Sequence, residues 1–372
     1  PLGAFLSGGV DSSVVAALMQ KQAIGKVKTF TIGFNEKQYN EAEYAKAVAH
    51  HLGTDHTELY VSPEDAMDII PCLPQIYDEP FADSSQIPTF MVSKMARQHV
   101  SVSLSGDGGD EIFGGYNRYL MANRAWKSME KAPLMLRRYF SKGITSISPK
   151  TWSGIINGAS VVLPTSLKIT HPGDKMYKLA DMLSSRSIDD VYDGLVSHWQ
   201  NPFEIVIGCT SQIDENNESI KTLDFNSPES KMMYLDSITY LPDDILTKVD
   251  RASMGVSLET RAPFLNHNVV EYAWQLPFDM KIRNNEGKWI LRKVLDKYVP
   301  RKLIERPKMG FGVPIDAWLR GPLRDWAESL LSESRLRQEG FFHPGPIRKI
   351  WNEHLSGHRN WQYHLWSVLM FQ

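Results

Sequence analysis

Residues Leu6–Ser13 read LSGGVDSS. They follow a short apolar run that begins at Pro1 and ends at Leu6. The stretch Val14–Lys21, which is amphipathic, follows directly. An apolar run, two consecutive glycines and an amphipathic stretch predict a strand, a tight turn and a helix. The chain therefore opens with a strand-turn-helix unit whose turn lies at the carboxyl end of the strand.

This glycine turn has the chemistry of an anion-binding loop. Backbone N–H groups at the glycines, the start of a helix and the hydroxyls of Ser12 and Ser13 all favour a bound anion. Asp11 adds a carboxylate beside that anion, an arrangement that calls for a cation between them, most simply Mg2+. The turn lacks the Lys of the G-x-x-x-x-G-K-[ST] phosphate loop. A pyrophosphate cradle is the favoured interpretation, and an ordinary strand-to-helix turn is the alternative.

Strands and helices alternate along the first third of the chain. Val27–Phe34, His56–Val61 and Val100–Ser105 have the β-branched and aromatic composition of strands. Asn40–Leu52 has helical spacing, and Ser93–His99 is predicted to end another helix. This alternation predicts an α/β fold with a doubly wound parallel sheet, in which ligands bind at the carboxyl ends of strands.

Helical patterns dominate the rest of the chain, so two domains are predicted: an α/β core over 1–120 and a mostly helical region over 121–372. The chain begins at Pro1, inside the first predicted strand, which suggests that a domain precedes it. Cys72 and Cys209 are too few for a disulfide framework, and Cys72, in an apolar segment, is expected to be buried.

Composition excludes several classes of function. The 372 residues are 42% hydrophobic and 23% charged, with a net charge of −2, which gives no electrostatic case for nucleic-acid binding. No apolar run reaches the length of a membrane helix, and no membrane partner is predicted. A reducing cytoplasm is the expected location. A homodimer is one of the assembly states that the sequence leaves open.

A second glycine-rich motif, Leu104–Tyr116, reads LSGDGGDEIFGGY and follows a predicted buried strand. Asp110 is a candidate to complete the metal site with Asp11, because two carboxylates and phosphate oxygens suit octahedral Mg2+. Asp107 and Glu111 are candidates to orient or deprotonate an incoming nucleophile. The alternative is a solvated acidic turn ahead of a helix.

A third cluster combines Asp243–Met254 (DDILTKVDRASM) with Glu259–Leu265 (ETRAPFL). Acids and bases alternate there in apolar surroundings, which predicts a buried or half-buried ion network. A structural role is favoured over direct catalysis.

The order and spacing of these motifs resemble the synthetase domain of the asparagine synthetase family. The first loop alone also fits GMP or NAD synthetases, which share the loop of ATP pyrophosphatases, but the later strings do not. The resemblance spans Pro1 to about Gly312 and rests on LSGGVDSS, FTIGF, NEAEYAKAVAHHLGTDH, DEPFADSS, LSGDGGDEIFGGY, KVDRASM, ETRAPFL and GKWILRKVL. It implies the adenine-nucleotide α-hydrolase type of α/β fold.

The resemblance also implies a reaction: a substrate carboxylate, aspartate first, attacks the α-phosphorus of ATP, and ammonia then displaces AMP to leave an amide. Lys308, in the loop 306–312, would neutralise charge during adenylate formation. Mg2+ on Asp11 and Asp110 would hold the leaving pyrophosphate. The implied ATP contacts are Ser7, Gly8, Gly9, Asp11, Ser12 and Ser13 for pyrophosphate, Leu6, Ile32 and Gly33 for adenosine, and the Ser105 and Gly106 backbone for ribose or α-phosphate.

Two departures from the family leave the acceptor and the nitrogen donor open. Well-known asparagine synthetases carry Glu where this chain has Asp107, so a uronic acid of a polysaccharide or a cell-wall peptide are alternative acceptors. The chain also lacks the N-terminal glutaminase domain, so ammonia is free or comes from glutamine through a glutaminase. Asp78–Ser85 and Asp243–Arg251 are candidate pocket segments, and Arg251 or Arg261 could bind a second carboxylate. A non-catalytic relative is the alternative from another class.

Overall fold

The structure is a computed structural model that describes residues 1–34, 40–159, 172–209, 223–305 and 313–372. The chain divides into two compact units. The first, called the sheet unit, contains Pro1–Tyr119 and Glu229–Pro314. The second, called the helical unit, contains Leu120–Pro228 and Ile315–Gln372.

The described residues of the sheet unit form a five-stranded sheet in the order β3-β2-β1-β4-β5. All neighbouring strands are parallel, and Ala4 lies opposite both Thr29 and Leu104. The chain moves outward from β1 to β3 on one side and returns to the other side with β4. The carboxyl ends of β1 and β4 therefore form the switch point at which α/β sheets bind ligands. The strands are β1 Leu2–Phe5, β2 Lys28–Phe34, β3 Asp55–Val61, β4 Val102–Leu104 and β5 Glu259–Arg261.

The predicted α/β fold with a parallel sheet is confirmed, and β2 shows its physical basis. Phe30 and Ile32 are buried on one face of this strand, and Thr29 and Thr31 are equally buried on the other. A strand that is buried on both faces is typical of a parallel sheet covered by helices. β5 was not predicted, because its three residues, ETR, carry no strand pattern.

Helices cover the sheet and make up most of the helical unit. Apolar side chains of the helices next to the sheet, such as Val14, Val48, Ile112 and Leu295, share one buried core. None of the described helices has both the length and the apolar character that a membrane span requires. The α-helices are α1 Val10–Gln22, α2 Ala42–Leu52, α3 Pro63–Met67, α4 Leu73–Tyr77, α5 Gln86–Arg97, α6 Gly109–Phe113, α7 Asn117–Met129, α8 Leu134–Thr145, α9 Pro149–Ala159, α10 Pro172–Leu183, α11 Ile188–Val196, α12 Pro228–Ile238, α13 Thr247–Met254, α14 His267–Gln275, α15 Phe278–Lys281, α16 Trp289–Leu295, α17 Ile315–Arg320, α18 Arg324–Leu330, α19 Glu333–Glu339, α20 Pro344–Leu355 and α21 Gln362–Phe371.

The described residues of Glu229–Pro314, although distant in sequence from the first strands, belong to the sheet unit. The reason is that β5 pairs with β4, with Thr260 opposite Ser103. The buried side chain of Leu258 enters the sheet unit just before this strand. The expectation for Cys72 is wrong, because this residue is exposed rather than buried. It ends a short 3-10 turn, Ile70–Cys72, whose buried side chain is Ile70.

His354 links the stability of the helical unit to pH. The residue is completely buried on α20, and its Nδ1 accepts a hydrogen bond from the Trp361 N–H at 3.1 Å. Burial, and then the Arg320 guanidinium, lower the pKa of His354 to about 4, whereas Asp316 opposes the shift. The unfolded chain therefore binds a proton here near pH 6.5, before the folded chain does. Above that pH, His354 costs the folded state nothing. We expect the free energy of unfolding to fall by about 2 kcal/mol by about pH 5.

Urea unfolding of the helical unit, followed at about pH 7 and about pH 5, measures this loss. His354→Asn keeps an acceptor for the Trp361 N–H but removes the titrating group, so the pH dependence should flatten. His358→Asn is the matched control, because His358 is exposed on the surface of the same unit. Equal pH slopes in the His354 variant and the unmodified protein would contradict the prediction.

Candidate active site

The loops after β1 and β4 meet at the switch point of the sheet. A Cβ atom at Gly106 would lie 2.8 Å from the backbone nitrogen of Ser12, so only glycine allows this approach. The Ser105 N–H donates to the Arg261 carbonyl at 2.9 Å, which fixes the second loop to the end of β5. The two glycine-rich motifs of the sequence therefore lie side by side.

The first loop is held in shape by its own serines. Ser7 and Ser12 share a hydrogen bond between their hydroxyls at 3.0 Å, and the Ser7 N–H donates to Ser12 Oγ at 3.2 Å. Gly8 has φ +73°, a left-handed conformation that favours glycine, and Gly9 caps the start of α1. The predicted strand-turn-helix unit is confirmed. Backbone N–H groups at the start of such a helix favour an anion.

Asp11 and Asp110 come together around a single cation, the ammonium group of Lys288. Asp110 Oδ1 lies 2.7 Å from Lys288 Nζ, and Asp11 Oδ2 forms a short hydrogen bond with the same nitrogen. The three side chains are largely buried, with exposed fractions of 19%, 15% and 7% for Asp110, Asp11 and Lys288. Burial lowers the pKa of Lys288, but the two carboxylates outweigh it and hold that pKa above its ordinary value. Lys288 is therefore a charged member of the site.

Lys288 was not predicted as a site residue, although it lies in GKWILRKVL, one of the segments that carry the family resemblance. Its φ of 58° is unusual for a residue other than glycine. This conformation starts α16 and lets the Lys288 N–H donate to the Phe113 carbonyl at 3.0 Å. Lys288 is 277 residues from Asp11 in sequence, so no local pattern could have paired them.

The donor set fits the predicted divalent cation. Two carboxylates that already converge on one positive charge match the one or two carboxylates with which proteins usually hold Mg2+. In the described ranges, no group of three or more His, Cys, Asp or Glu side chains is arranged to hold a metal. Asp11 and Asp110 would therefore share the ion with oxygen atoms of a phosphate ligand and water.

Asp107 and Glu111, the predicted nucleophile-orienting acids, occupy different surroundings. Burial raises the pKa of Asp107, although the Ser105 hydroxyl and the Lys248 ammonium oppose the shift. Glu111 is 1% exposed and accepts a hydrogen bond from the Tyr116 hydroxyl at 2.6 Å. Burial raises the pKa of Glu111 to about 7. Asp107 also lines a cavity, whereas Glu111 faces the interior.

A buried polar network continues from Tyr116. The Arg118 guanidinium lies 4.0 Å from the centre of the Tyr116 ring and donates to Asp236 Oδ2 at 2.7 Å and 3.1 Å. The Tyr119 hydroxyl donates to the same oxygen of Asp236, which is completely buried. Asp236 therefore compensates the charge of the half-buried Arg118, whose side chain is 19% exposed.

The predicted ion network of the third cluster is confirmed at Lys248. Its Nζ lies 2.6 Å from Asp83 Oδ2 and 3.9 Å from Asp244 Oδ1. Despite burial, Lys248 holds the pKa of Asp83 below its ordinary value, whereas burial and the Asp83 charge raise that of Asp244. Asp83 also accepts hydrogen bonds from Ser85. The two predicted pocket segments thus contact each other. The ammonium group of Lys248 stabilises this contact by pairing with Asp83.

The remaining predicted ATP contacts differ in accessibility. Leu6 and Ile32 are 1% and 2% exposed, and Gly33 is buried beside them on the sheet. Ser13 is completely buried at the start of α1, whereas Ser12 is 8% exposed. Lys308, the predicted catalytic lysine, lies outside the described residues.

A parallel sheet with a glycine-rich loop at its switch point places the protein in the ATP pyrophosphatase class of α/β folds. The chain belongs to the asparagine synthase family, whose pattern it matches over residues 1–372. ATP-dependent amidation is the general chemistry of that family.

Individual relatives agree with this assignment. The chain is 31% identical over 375 residues to a glutamine-hydrolysing asparagine synthetase of Bacillus subtilis, matching 100% of this chain and 55% of that protein. It is 33% identical over 371 residues to a putative glutamine-hydrolysing asparagine synthetase of Mycobacterium tuberculosis, matching 100% of this chain and 53% of that protein. A more distant relative, amidase chry2 of Gibberella zeae, is 24% identical over 365 residues, matching 92% of this chain and 53% of that protein. The chain spans about half the length of these curated relatives.

Proposed function

We propose that this chain adenylates the side-chain carboxylate of aspartate with ATP and passes the acyl group to ammonia, which gives asparagine, AMP and pyrophosphate. The observation that carries the proposal is the meeting of Asp11 and Asp110 around one cation at the switch point. Such a site can neutralise the charge of a polyphosphate next to the helix that would bind it.

The two ends of ATP have separate places on the sheet. The loop of Ser7, Gly8 and Gly9, with the first turn of α1, binds the β- and γ-phosphates through N–H and hydroxyl donors. Leu6, Ile32 and Gly33 lie toward β2 and face the adenosine. The Ser105 and Gly106 backbone lies next to the first loop and approaches the ribose or α-phosphate.

Asp11 and Asp110 are the residues that would hold Mg2+, and the bound ion would offset charge on the leaving pyrophosphate. Lys288 keeps the two carboxylates converged and adds a positive charge beside the phosphates. Lys308 is assigned to charge neutralisation on the α-phosphoryl group.

The reaction has two displacements. A carboxylate oxygen of the acceptor bonds to the α-phosphorus, and the bond from that phosphorus to the β-phosphate bridging oxygen breaks. Ammonia then bonds to the acyl carbon, the bond to the AMP oxygen breaks, and the added nitrogen loses a proton. Asp107, which lines the cavity, is assigned to orienting the nucleophile. Glu111, whose pKa is raised to about 7 by burial, is assigned to accepting that proton, which requires its buried carboxyl group to become accessible when the substrates bind.

The nitrogen donor is ammonia, taken free from solution or released from glutamine. The Bacillus subtilis relative is named as glutamine-hydrolysing, and the chain matches 55% of it. Assays with ammonium salts therefore supply the nitrogen directly and test the chemistry of these residues alone.

Release of pyrophosphate and AMP from ATP, with Mg2+ and ammonium, tests the proposal across a panel of carboxylates. The panel contains aspartate, a uronic acid and a peptidyl carboxylate. Release with aspartate, together with asparagine in the products, is the expected result. Release with the uronic acid alone would move the acceptor to polysaccharide and retain the ATP chemistry. ATP binding without release for every acceptor would contradict the proposal and favour a non-catalytic relative.

A further inference from the structure

Helix α8 of the helical unit turns its largest apolar side chains outward. Met135 is 85% exposed, Tyr139 75%, Phe140 58% and Leu136 49%. Met135 and Tyr139 are four residues apart, as are Leu136 and Phe140, so each pair is adjacent on the helix surface. Single exposed apolar residues are ordinary, but four neighbouring ones, two of them aromatic, indicate a contact surface. These four residues are called the α8 face.

The opposite side of α8 attaches the helix to its unit through polar groups. Arg137 and Ser141 are the buried residues of this helix. The Arg137 guanidinium donates to the Ser185 carbonyl at 2.8 Å, and the Ser141 hydroxyl donates to the Ala180 carbonyl at 2.8 Å. This reverses the usual order of a surface helix, in which apolar side chains face the core. Packing within the unit therefore does not explain the apolar character of the α8 face.

Basic side chains accompany the α8 face. Arg138 and Lys142 are exposed and four residues apart, so they lie together along one edge of it. α8 itself contains no acidic residue, and Glu130 is the only acidic residue in the range 120–150. The surface therefore suits a partner that is both apolar and negatively charged. The exposed basic residues of that range are Arg124, Lys127, Lys131, Arg138, Lys142 and Lys150.

The shape of the α8 face favours a lipid surface as this partner. Side chains that are three-quarters exposed or more, such as Met135 and Tyr139, project into solvent instead of lining a groove. A fluid bilayer accommodates projecting apolar groups, and its anionic head groups attract Lys and Arg. Long basic side chains also keep their charged ends among head groups while their methylenes lie against apolar neighbours. A second copy of the chain would instead bring two basic faces together.

We propose that the α8 face binds the surface of a membrane that contains anionic lipids. Tyr139 and Phe140 enter the boundary between head groups and acyl chains, and Arg138 and Lys142 contact the lipid phosphates. The sequence-based expectation of no membrane partner rested on the length of apolar runs, which a helix that lies in the interface does not need. None of these four residues belongs to the candidate active site, so the proposal does not depend on the proposed function.

Sedimentation of the full chain with large unilamellar vesicles tests the proposal. The vesicles are phosphatidylcholine alone or phosphatidylcholine mixed with phosphatidylglycerol, which is anionic. At about 100 mM salt we expect the partition coefficient to be at least about 10-fold higher for the anionic vesicles. Raising the salt to about 500 mM should remove most of this difference, because salt screens the attraction to the head groups.

Two double variants separate the apolar and the electrostatic contributions. Tyr139→Ser with Phe140→Ser should lower binding to anionic vesicles about 30-fold and keep its salt dependence. Arg138→Gln with Lys142→Gln should also lower it about 30-fold, but the binding that remains should depend less on salt. The side chains are exposed, so the urea midpoints of both variants should match that of the unmodified protein.

Matched controls make the same chemical changes away from α8. Tyr272 on α14 is 61% exposed, and Tyr272→Ser should leave vesicle binding unchanged. Lys26 and Lys349 are exposed as well, and their joint replacement by Gln removes two positive charges elsewhere on the surface. The loss in this control should stay below about 3-fold.

Three results would overturn the proposal. Absence of sedimentation with anionic vesicles would reassign the α8 face to a protein partner. Equal binding to neutral and anionic vesicles would remove the role of Arg138 and Lys142. Dimerisation of the chain in solution that Tyr139→Ser with Phe140→Ser abolishes, without any effect of these changes on vesicle binding, would assign the face to a second copy.

Discussion

Asp11→Asn is expected to reduce acceptor-dependent pyrophosphate release about a thousand-fold, which corresponds to about 4 kcal/mol in the barrier. The substitution keeps the shape of the side chain but removes one of the two charges that converge on Lys288. A neutral amide is a weaker ligand for Mg2+ than a carboxylate, so charge on the leaving group loses part of its compensation. Steady-state release of pyrophosphate at saturating ATP and aspartate measures the effect.

Asp55→Asn is the control for this substitution. Asp55 is an exposed carboxylate at the start of β3, so the variant makes the same chemical change away from the switch point. Asp110→Asn should raise the Mg2+ concentration needed for half-maximal activity, because Asp110 is the other proposed ligand. A folded Asp11→Asn protein with unchanged turnover would disprove the assignment of the metal site.

Asp236→Asn is expected to lower the free energy of unfolding by about 3 kcal/mol, the low end of the range for removing one partner of a buried ion pair, because Arg118 is only half-buried. Asp236 is completely buried and accepts from both Arg118 and Tyr119. The amide leaves the half-buried guanidinium of Arg118 without the carboxylate that compensates its charge. Urea unfolding at neutral pH measures the loss.

Two further variants separate the charge effect from general disruption. Glu259→Gln breaks the exposed pair with Arg261 and should cost less than about 1 kcal/mol. Replacing both partners, Arg118→Met with Asp236→Leu, should recover at least half of the stability, because no uncompensated charge remains. If Asp236→Asn costs no more than Glu259→Gln, the buried pair does not stabilise the sheet unit.

The sequence was a reliable guide wherever a local pattern carried the information. The β-branched run of β2 and the apolar run of β1 predicted their strands to within one or two residues. The glycines and serines of Leu6–Ser13 predicted the turn, because the residues that allow a sharp bend and those that start a helix are adjacent in sequence. The pairing of Asp11 with Asp110 followed from placing both after parallel strands, whose carboxyl ends meet at one edge.

Local patterns failed where a residue takes its structure or partner from a distant segment. The three residues of β5, Glu259–Arg261, carry no strand pattern, and they form a strand because their backbone pairs with the edge of β4. The described residues of Glu229–Pro314 belong to the sheet unit, where β5 pairs with β4, and no local pattern indicates this distant pairing.

By itself, the sequence determined the α/β class, the glycine turn between β1 and α1, the two candidate metal ligands and the family, because each depends on residue type and short spacing. Only the tertiary structure placed Lys288 between Asp11 and Asp110 and committed Lys248 to Asp83. It also distinguished Arg251, at the cavity, from Arg261, which is paired on the surface. The physical reason is that the role of a charged side chain depends on the groups that surround it, and these groups lie up to 277 residues away in sequence.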